Sequence, residues 1–135
     1  MRLVLDTNVL IAAFIARGVC HEVYEYCALH HEVALSAFIL LEFERHLTGK
    51  FGFGREESDR ACQLLRSRAV LVAPVETGDA VCRDPDDDRV LGAALAGSCT
   101  CLLTGDKDLL VLDPFCGIRI IPPSEFWRFE MEHGA

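Results

Sequence analysis

The feature that most constrains this chain is where its apolar runs stop. Leu3-Val4-Leu5 is short, wholly apolar, and ends directly on Asp6. Four more short runs follow: Glu32–Leu35, Val70–Ala73, Thr100–Thr104 and Ile118–Ile121. Each is too short for a core helix, and none alternates apolar with polar residues. That pattern predicts strands buried on both faces, as in a parallel sheet. The segments between them read as helices. Thr7 is placed to cap a helix over 8–16, and residues 20–30 look helical. Ser36 caps a helix over 37–48 closed by Gly49, and residues 55–68 form a charged amphipathic helix. Asp84 caps a helix with Pro85 in its first position, running to about Ala96, and Ser124 caps a last helix over 125–133. Strands alternating with helices predict a three-layer α/β/α sandwich, Rossmann-like, with a parallel sheet of five strands. The 135 residues suffice for a single domain with its own core, and we expect one domain over 1–135. The glycine-rich stretch 49–54 is read as a loop between helices.

Half the residues are hydrophobic and a quarter charged, so the composition is that of a folded protein. No apolar run approaches the roughly 20 residues of a membrane span, and Asp6 interrupts the N-terminal run too early for a signal peptide. The expected location is the cytoplasm, with no membrane partner. The seven cysteines are odd in number and scattered. They read as buried thiols in a reducing compartment, and no spacing among them resembles a zinc finger.

In a parallel α/β sheet the ligand site lies at the carboxyl ends of the strands. Two strands end there on acids, at Asp6 and, after Gly105, at Asp106. Asp6-Thr7-Asn8 serves equally well as a helix cap or as part of a site. Glu42 sits in an otherwise apolar helical turn, where pairing with Arg45 or His46 is the plainer explanation. The run Asp84-Pro85-Asp86-Asp87-Asp88 puts four carboxylates into five residues. Helix capping and the helix dipole account for two or three of them, but not for Asp88, which precedes the apolar run. Asp106 and Asp108 flank Lys107 and could form a surface ion cluster. Taken together, the acids match what Mg²⁺ or Mn²⁺ requires: hard, all-oxygen ligands able to activate water and neutralise a phosphate. The net charge of −8 opposes this, because nucleic-acid binders normally carry a basic footprint. The acids must then be concentrated and neutralised by metal, or a basic partner must supply the missing charge.

Several stretches resemble the PIN-domain nucleases. They are Leu3-Val4-Leu5-Asp6-Thr7-Asn8, Ser36 to Glu42, Asp84 to Ala96, Leu103-Thr104-Gly105-Asp106-Lys107-Asp108, and the tail Ile121 to Phe126. Each motif is short, but their order and spacing are specific. The run of aspartates resembles a branch of toxins from toxin–antitoxin systems. The resemblance implies a Mg²⁺- or Mn²⁺-dependent endoribonuclease acting on single-stranded RNA, with Asp6, Glu42, Asp88 and Asp106 as catalytic metal ligands. Thr7, Asn8, Asp84, Asp87, Thr104 and Asp108 are accessory. It also implies a homodimer and an antitoxin partner. Lys50, Arg89 and Lys107 are the leading candidates to hold RNA, with Arg17, Arg55 and Arg83 behind them. Phe51 and Phe53 are available to stack on bases.

Rival readings are weaker. A phosphatase using Asp6 as nucleophile wants a second Asp two residues on, where this chain has Asn8. A receiver domain would place its acids on strand ends, whereas the run 86–88 lies at a helix start. A structure-specific DNA nuclease would carry insertions for which this chain is too short. A catalytically silent PIN-like module that binds RNA or protein is the alternative kept.

Overall fold

The computed structural model describes residues 1–75 and 81–133. Five parallel strands form one sheet: β1 (Arg2–Leu5), β2 (Glu32–Leu35), β3 (Ala69–Leu71), β4 (Cys101–Leu103) and β5 (Arg119–Ile121). Their order is β3-β2-β1-β4-β5. The helices are α1 (Thr7–Ile15), α2 (Val19–His30), α3 (Ala37–Gly49), α4 (Arg55–Ser67), α5 (Pro85–Ala96), α6 (Lys107–Leu110) and α7 (Phe126–His133). The fold is the expected three-layer α/β sandwich. The central strands are buried throughout, from Leu3, Val4 and Leu5 of β1 to Cys101, Leu102 and Leu103 of β4. This explains why neither run alternates.

The strand order reverses at β1, which pairs with β2 on one side and β4 on the other. Chain connections leave β1 and β4 in opposite directions there, and a crevice opens at their carboxyl ends. Leu5 pairs with Leu103, so Asp6 and Thr104 emerge side by side.

Local differences from the sequence expectation have physical causes. Asp6, not Thr7, caps α1: its Oδ1 accepts the Thr7 N–H at 2.8 Å. The helix thus begins one residue earlier, and the Thr7 hydroxyl is left for other work. Ser124 is not a cap. Pro122 and Pro123 set up a 3₁₀ turn over Pro123–Glu125, and α7 begins only at Phe126. β3 is an edge strand, partly exposed, and runs one residue earlier and shorter than its apolar pattern. The short helix α6 has no counterpart in the sequence expectation; Asp106 caps it by accepting the Asp108 N–H at 2.9 Å.

All seven cysteines are free thiols, and Cys27, Cys99 and Cys101 are buried. Burial pushes the Cys27 thiol up to about 12 and the Cys99 thiol up to about 11, so neither is a nucleophile at neutral pH. Among the described residues no helix is long and apolar enough to cross a membrane.

α5 packs across β1 and β2, and one glycine sets how closely the chain approaches it. The Gly92 carbonyl accepts the Val75 N–H at 3.2 Å, and a Cβ on Gly92 would run into the Val75 carbonyl oxygen. Gly92→Ala should therefore destabilise the fold by about 1–3 kcal/mol. Gly105→Ala, where a Cβ meets open space, should stay within about 0.5 kcal/mol of the parent. Urea titration of the two variants checks the contrast.

Candidate acidic metal site

Four elements deliver carboxylates to the crevice. β1 ends on Asp6, α3 carries Glu42, the start of α5 carries Asp84, Asp86 and Asp87, and β4 leads through Thr104 and Gly105 to Asp106. They line one cleft of about 320 Å³, with Thr7, Asn8, Arg45, His46 and Val90 completing its wall.

Asp6 is the anchor. Its carboxylate is buried, with Oδ1 on the Thr7 N–H and Oδ2 accepting the Thr104 hydroxyl at 2.8 Å. Burial pushes its pKa up. The two hydrogen bonds pull it back, and Asp106 and Glu42 push it up again. The Thr104 oxygen also accepts the Asp106 N–H at 3.0 Å, which ties the two strand-end acids together. The freed Thr7 hydroxyl donates to Glu42 Oε1 at 3.0 Å. Thr7 and Thr104, expected as accessory residues, thus orient Glu42 and Asp6. Asn8 lines the cleft beside them.

The aspartate run divides its labour differently from the sequence expectation. Asp84 caps α5 by accepting the Asp86 N–H at 2.9 Å. Asp88, the residue the motif favoured, does not line the cleft. Its Oδ1 accepts the N–H groups of Val81 and Cys82 at 3.2 and 3.0 Å, which ties down the segment entering the helix. Asp87 takes the place in the cleft instead. Asp87 shares a face with Val90, Leu91 and Ala94, which are buried. Val90, one turn beyond Asp87, lines the same cleft.

Carboxylate oxygens of Asp87, Asp106 and Asp108 lie within 4.8 Å of one another. Asp87 is pushed up to about 7, by burial first and then by Asp106, Asp6 and Asp84. Asp108 also pairs with Arg83 at 3.1 Å. The donor set around Asp87 and Asp106 is all oxygen, partly shielded, and mutually repulsive. That suits a hard divalent cation and does not suit zinc or copper.

The cations named from sequence are less central. Arg89 is held by Asp86 at 3.0 Å and lies over the Phe38 ring. Lys50 lies over Phe51, at the end of α3, and Phe53 packs against the core. Lys107 is exposed beside Asp106. Arg17 and Arg55 line other depressions. The basic residues of the cleft itself are Arg45 and His46, which sequence reading considered only as partners of Glu42. Their spacing of three and four residues from Glu42 puts all three on one helix face, and that signal was available.

Fold and cleft define a class: a parallel α/β protein with a polar, carboxylate-lined crevice at its topological switch point. Residues 2–108 match the family model for the PIN domain, and the chain belongs to that family. The match stops short of the tail Ile121 to Phe126. Two solved structures are similar. One is VapBC2 from Rickettsia felis bound to a DNA fragment from its promoter, with TM-score 0.64 and 15% identity, covering 89% of this chain and 97% of that one. The other is VapBC-1 from nontypeable Haemophilus influenzae, with TM-score 0.64 and 20% identity, covering 92% and 99%. Curated proteins give no match to the sequence.

The repulsion at Asp87 makes a prediction. An acid with a raised folded pKa costs stability above that pKa, and the cost fades as pH falls through about 7 toward the ordinary value of 3.8. In EDTA, Asp87→Asn should raise Tm at pH 8 and leave it unchanged near pH 4. An equal shift at both pH values would remove the electrostatic explanation.

Proposed function

We propose that this chain is a metal-dependent endoribonuclease that hydrolyses single-stranded RNA, and that it is the toxin of a toxin–antitoxin pair. The observation that carries the chemistry is the convergence of Asp6, Glu42, Asp87 and Asp106 from four elements on one cleft. Family membership supports a nuclease, and the VapBC complexes among the similar structures support an antitoxin partner. The single domain over 1–135, a cytoplasmic location and a homodimer belong to the same proposal.

Asp6, Asp87 and Asp106 would hold Mg²⁺ or Mn²⁺, with Glu42 at its edge. When bound, the ion supplies a Lewis acid that activates water and neutralises charge on the phosphate. The chain's own residues do the rest. Thr104 fixes the Asp6 carboxylate and, through the Asp106 N–H, the position of the second strand-end acid. Thr7 holds one oxygen of Glu42, and the other, Oε2, accepts only the long contact from Arg45 and would be the one available to a metal ion. Asp84 caps the helix that carries Asp87, so the acid sits in the first turn, where the dipole favours its ionised form. Asp88 positions the loop before α5 and takes no part in the reaction.

Purified protein should cut single-stranded RNA in Mn²⁺ or Mg²⁺. Activity should vanish in EDTA and in Asp6→Asn. Asp87→Asn should lower kcat/KM on the order of 100-fold or more. Asp88→Asn keeps the acceptor oxygen and should cost less than about 10-fold. The reverse order for Asp87 and Asp88 would return the ligand role to Asp88. Metal binding by calorimetry without cleavage of any RNA would favour a PIN-like binding module. Absence of both metal binding and cleavage would overturn the reading.

A second measurement needs no substrate. Mn²⁺ binds the folded cluster and not the scattered acids of the unfolded chain, so it should raise Tm in proportion to the logarithm of its concentration. Asp87→Asn should abolish most of that rise.

A further inference from the structure

Arg45 and His46 are the cationic or potentially cationic side chains in a cleft otherwise walled by carboxylates. Both lie one turn beyond Glu42 on α3. Arg45 Nη2 reaches Glu42 Oε2 at 3.4 Å, a long contact, and the Arg45 side chain is 64% exposed. Among the described residues this is its one hydrogen bond, so most of the guanidinium's five donors are unspent. The other Glu42 oxygen is already held by Thr7, and Oε2 is therefore the exchangeable one. The His46 ring has no hydrogen-bond partner among the described residues, although the residue is half-buried in the wall. Its backbone is fixed, because its carbonyl accepts the N–H groups of Lys50 and Phe51.

We propose that Arg45 and His46 form the phosphate grip of the cleft, and that Arg45 passes from Glu42 to a phosphate of the RNA strand when a divalent ion takes Glu42. The proposal rests on the nuclease reading of the cleft. Three physical points lead to it. A strand entering the cleft carries a negative charge on every phosphate, and Asp84, Asp86 and the remaining acids repel it. An ion neutralises only the phosphate it touches, so the neighbouring phosphate needs a protein cation. Arg45 stands against Glu42 Oε2, beside the cluster of carboxylates that wants a cation. Once an ion binds Glu42, the two positive charges repel and the guanidinium is displaced toward solvent, where a phosphate can accept its fork of donors. Arg89 does not line the cleft and is paired with Asp86 and the Phe38 ring instead. His46 adds a second donor at fixed height on the same helix face.

The test uses the full chain and a fluorescein-labelled oligouridylate. Binding is followed by anisotropy in Ca²⁺ over a range of salt, and cleavage of the same strand is followed in Mn²⁺. Arg45→Ala should weaken binding about 10-fold and lower the slope of log Kd against log salt by about 0.7, the share of one phosphate contact on a single strand. Arg45→Lys should restore the slope but only part of the affinity. His46→Ala should weaken binding several-fold, about threefold or more. Mn²⁺ affinity by calorimetry should be unchanged or tighter in Arg45→Ala, because a competitor for Glu42 is gone. Weaker Mn²⁺ binding with an unchanged salt slope would overturn the proposal and leave Arg45 as a mere support for Glu42. Parent protein that binds the strand without cutting it would fail the hydrolytic reading, while the salt slopes would still decide the grip. Parent protein that neither binds nor cuts would end both.

Discussion

A carboxylate at the end of a buried central strand costs free energy unless its oxygens are satisfied, and the structure is arranged around that demand. Asp6 is held from two sides, by the amide that opens α1 and by the hydroxyl that ends β4. The first bond makes the acid a helix cap, so strand, turn and helix are joined at one residue. The second makes it a cross-strand link, because Leu5 and Leu103 are neighbours in the sheet. The Thr104 oxygen then passes the constraint to Asp106, and the Thr7 hydroxyl passes it to Glu42. Three acids from distant parts of the chain are thus placed by hydrogen bonds that the fold needs in any case. Structure and site share the same interactions.

The net charge of −8 looks different once located. The cleft alone carries Asp6, Glu42, Asp84, Asp86, Asp87 and Asp106, against Arg45 and His46. Much of the acidity that argues against a nucleic-acid partner is therefore gathered in one polar crevice, where burial first, and the neighbouring carboxylates after it, raise the pKa of Asp6 and Asp87. Concentrated charge of that kind is a binding potential for cations. Outside the cleft, acids pair with bases in ordinary ways, as Glu25 does with Arg68 and Asp113 with Arg119. Away from the cleft, Glu130 accepts the Tyr26 hydroxyl and meets His31 at 2.8 Å, fastening α7 to α2.

The fold was legible because the strands are buried on both faces and so read as uninterrupted apolar runs. Pro85 after Asp84, and Ser36 before α3, marked helix starts that the structure keeps. What escaped were decisions made by tertiary contact. Nothing in the sequence says whether Asp6 or Thr7 caps α1, since both can. The choice follows from Thr104, ninety-eight residues away, which fixes the Asp6 carboxylate. The motif favours Asp88, and five successive buried residues from Val90 to Ala94 leave the helical phase open to either acid; the cleft takes Asp87. Arg45 and His46 were visible as neighbours of Glu42, yet their place in the cleft depends on α3 and α5 facing each other across the crevice.

The route by which the cleft is built also sets when it can exist. Its acids are contributed in chain order by β1, α3, α5 and finally the turn after β4. β4 is not an edge strand: it fills the gap between β1 and β5. A growing polypeptide that has not yet reached Asp106 lacks one wall of the crevice and the Thr104 hydroxyl that holds Asp6. The ribosome must therefore pass residue 106 before the full set of carboxylates can meet. A nascent chain short of that residue has no complete acidic cleft with which to gather a cation.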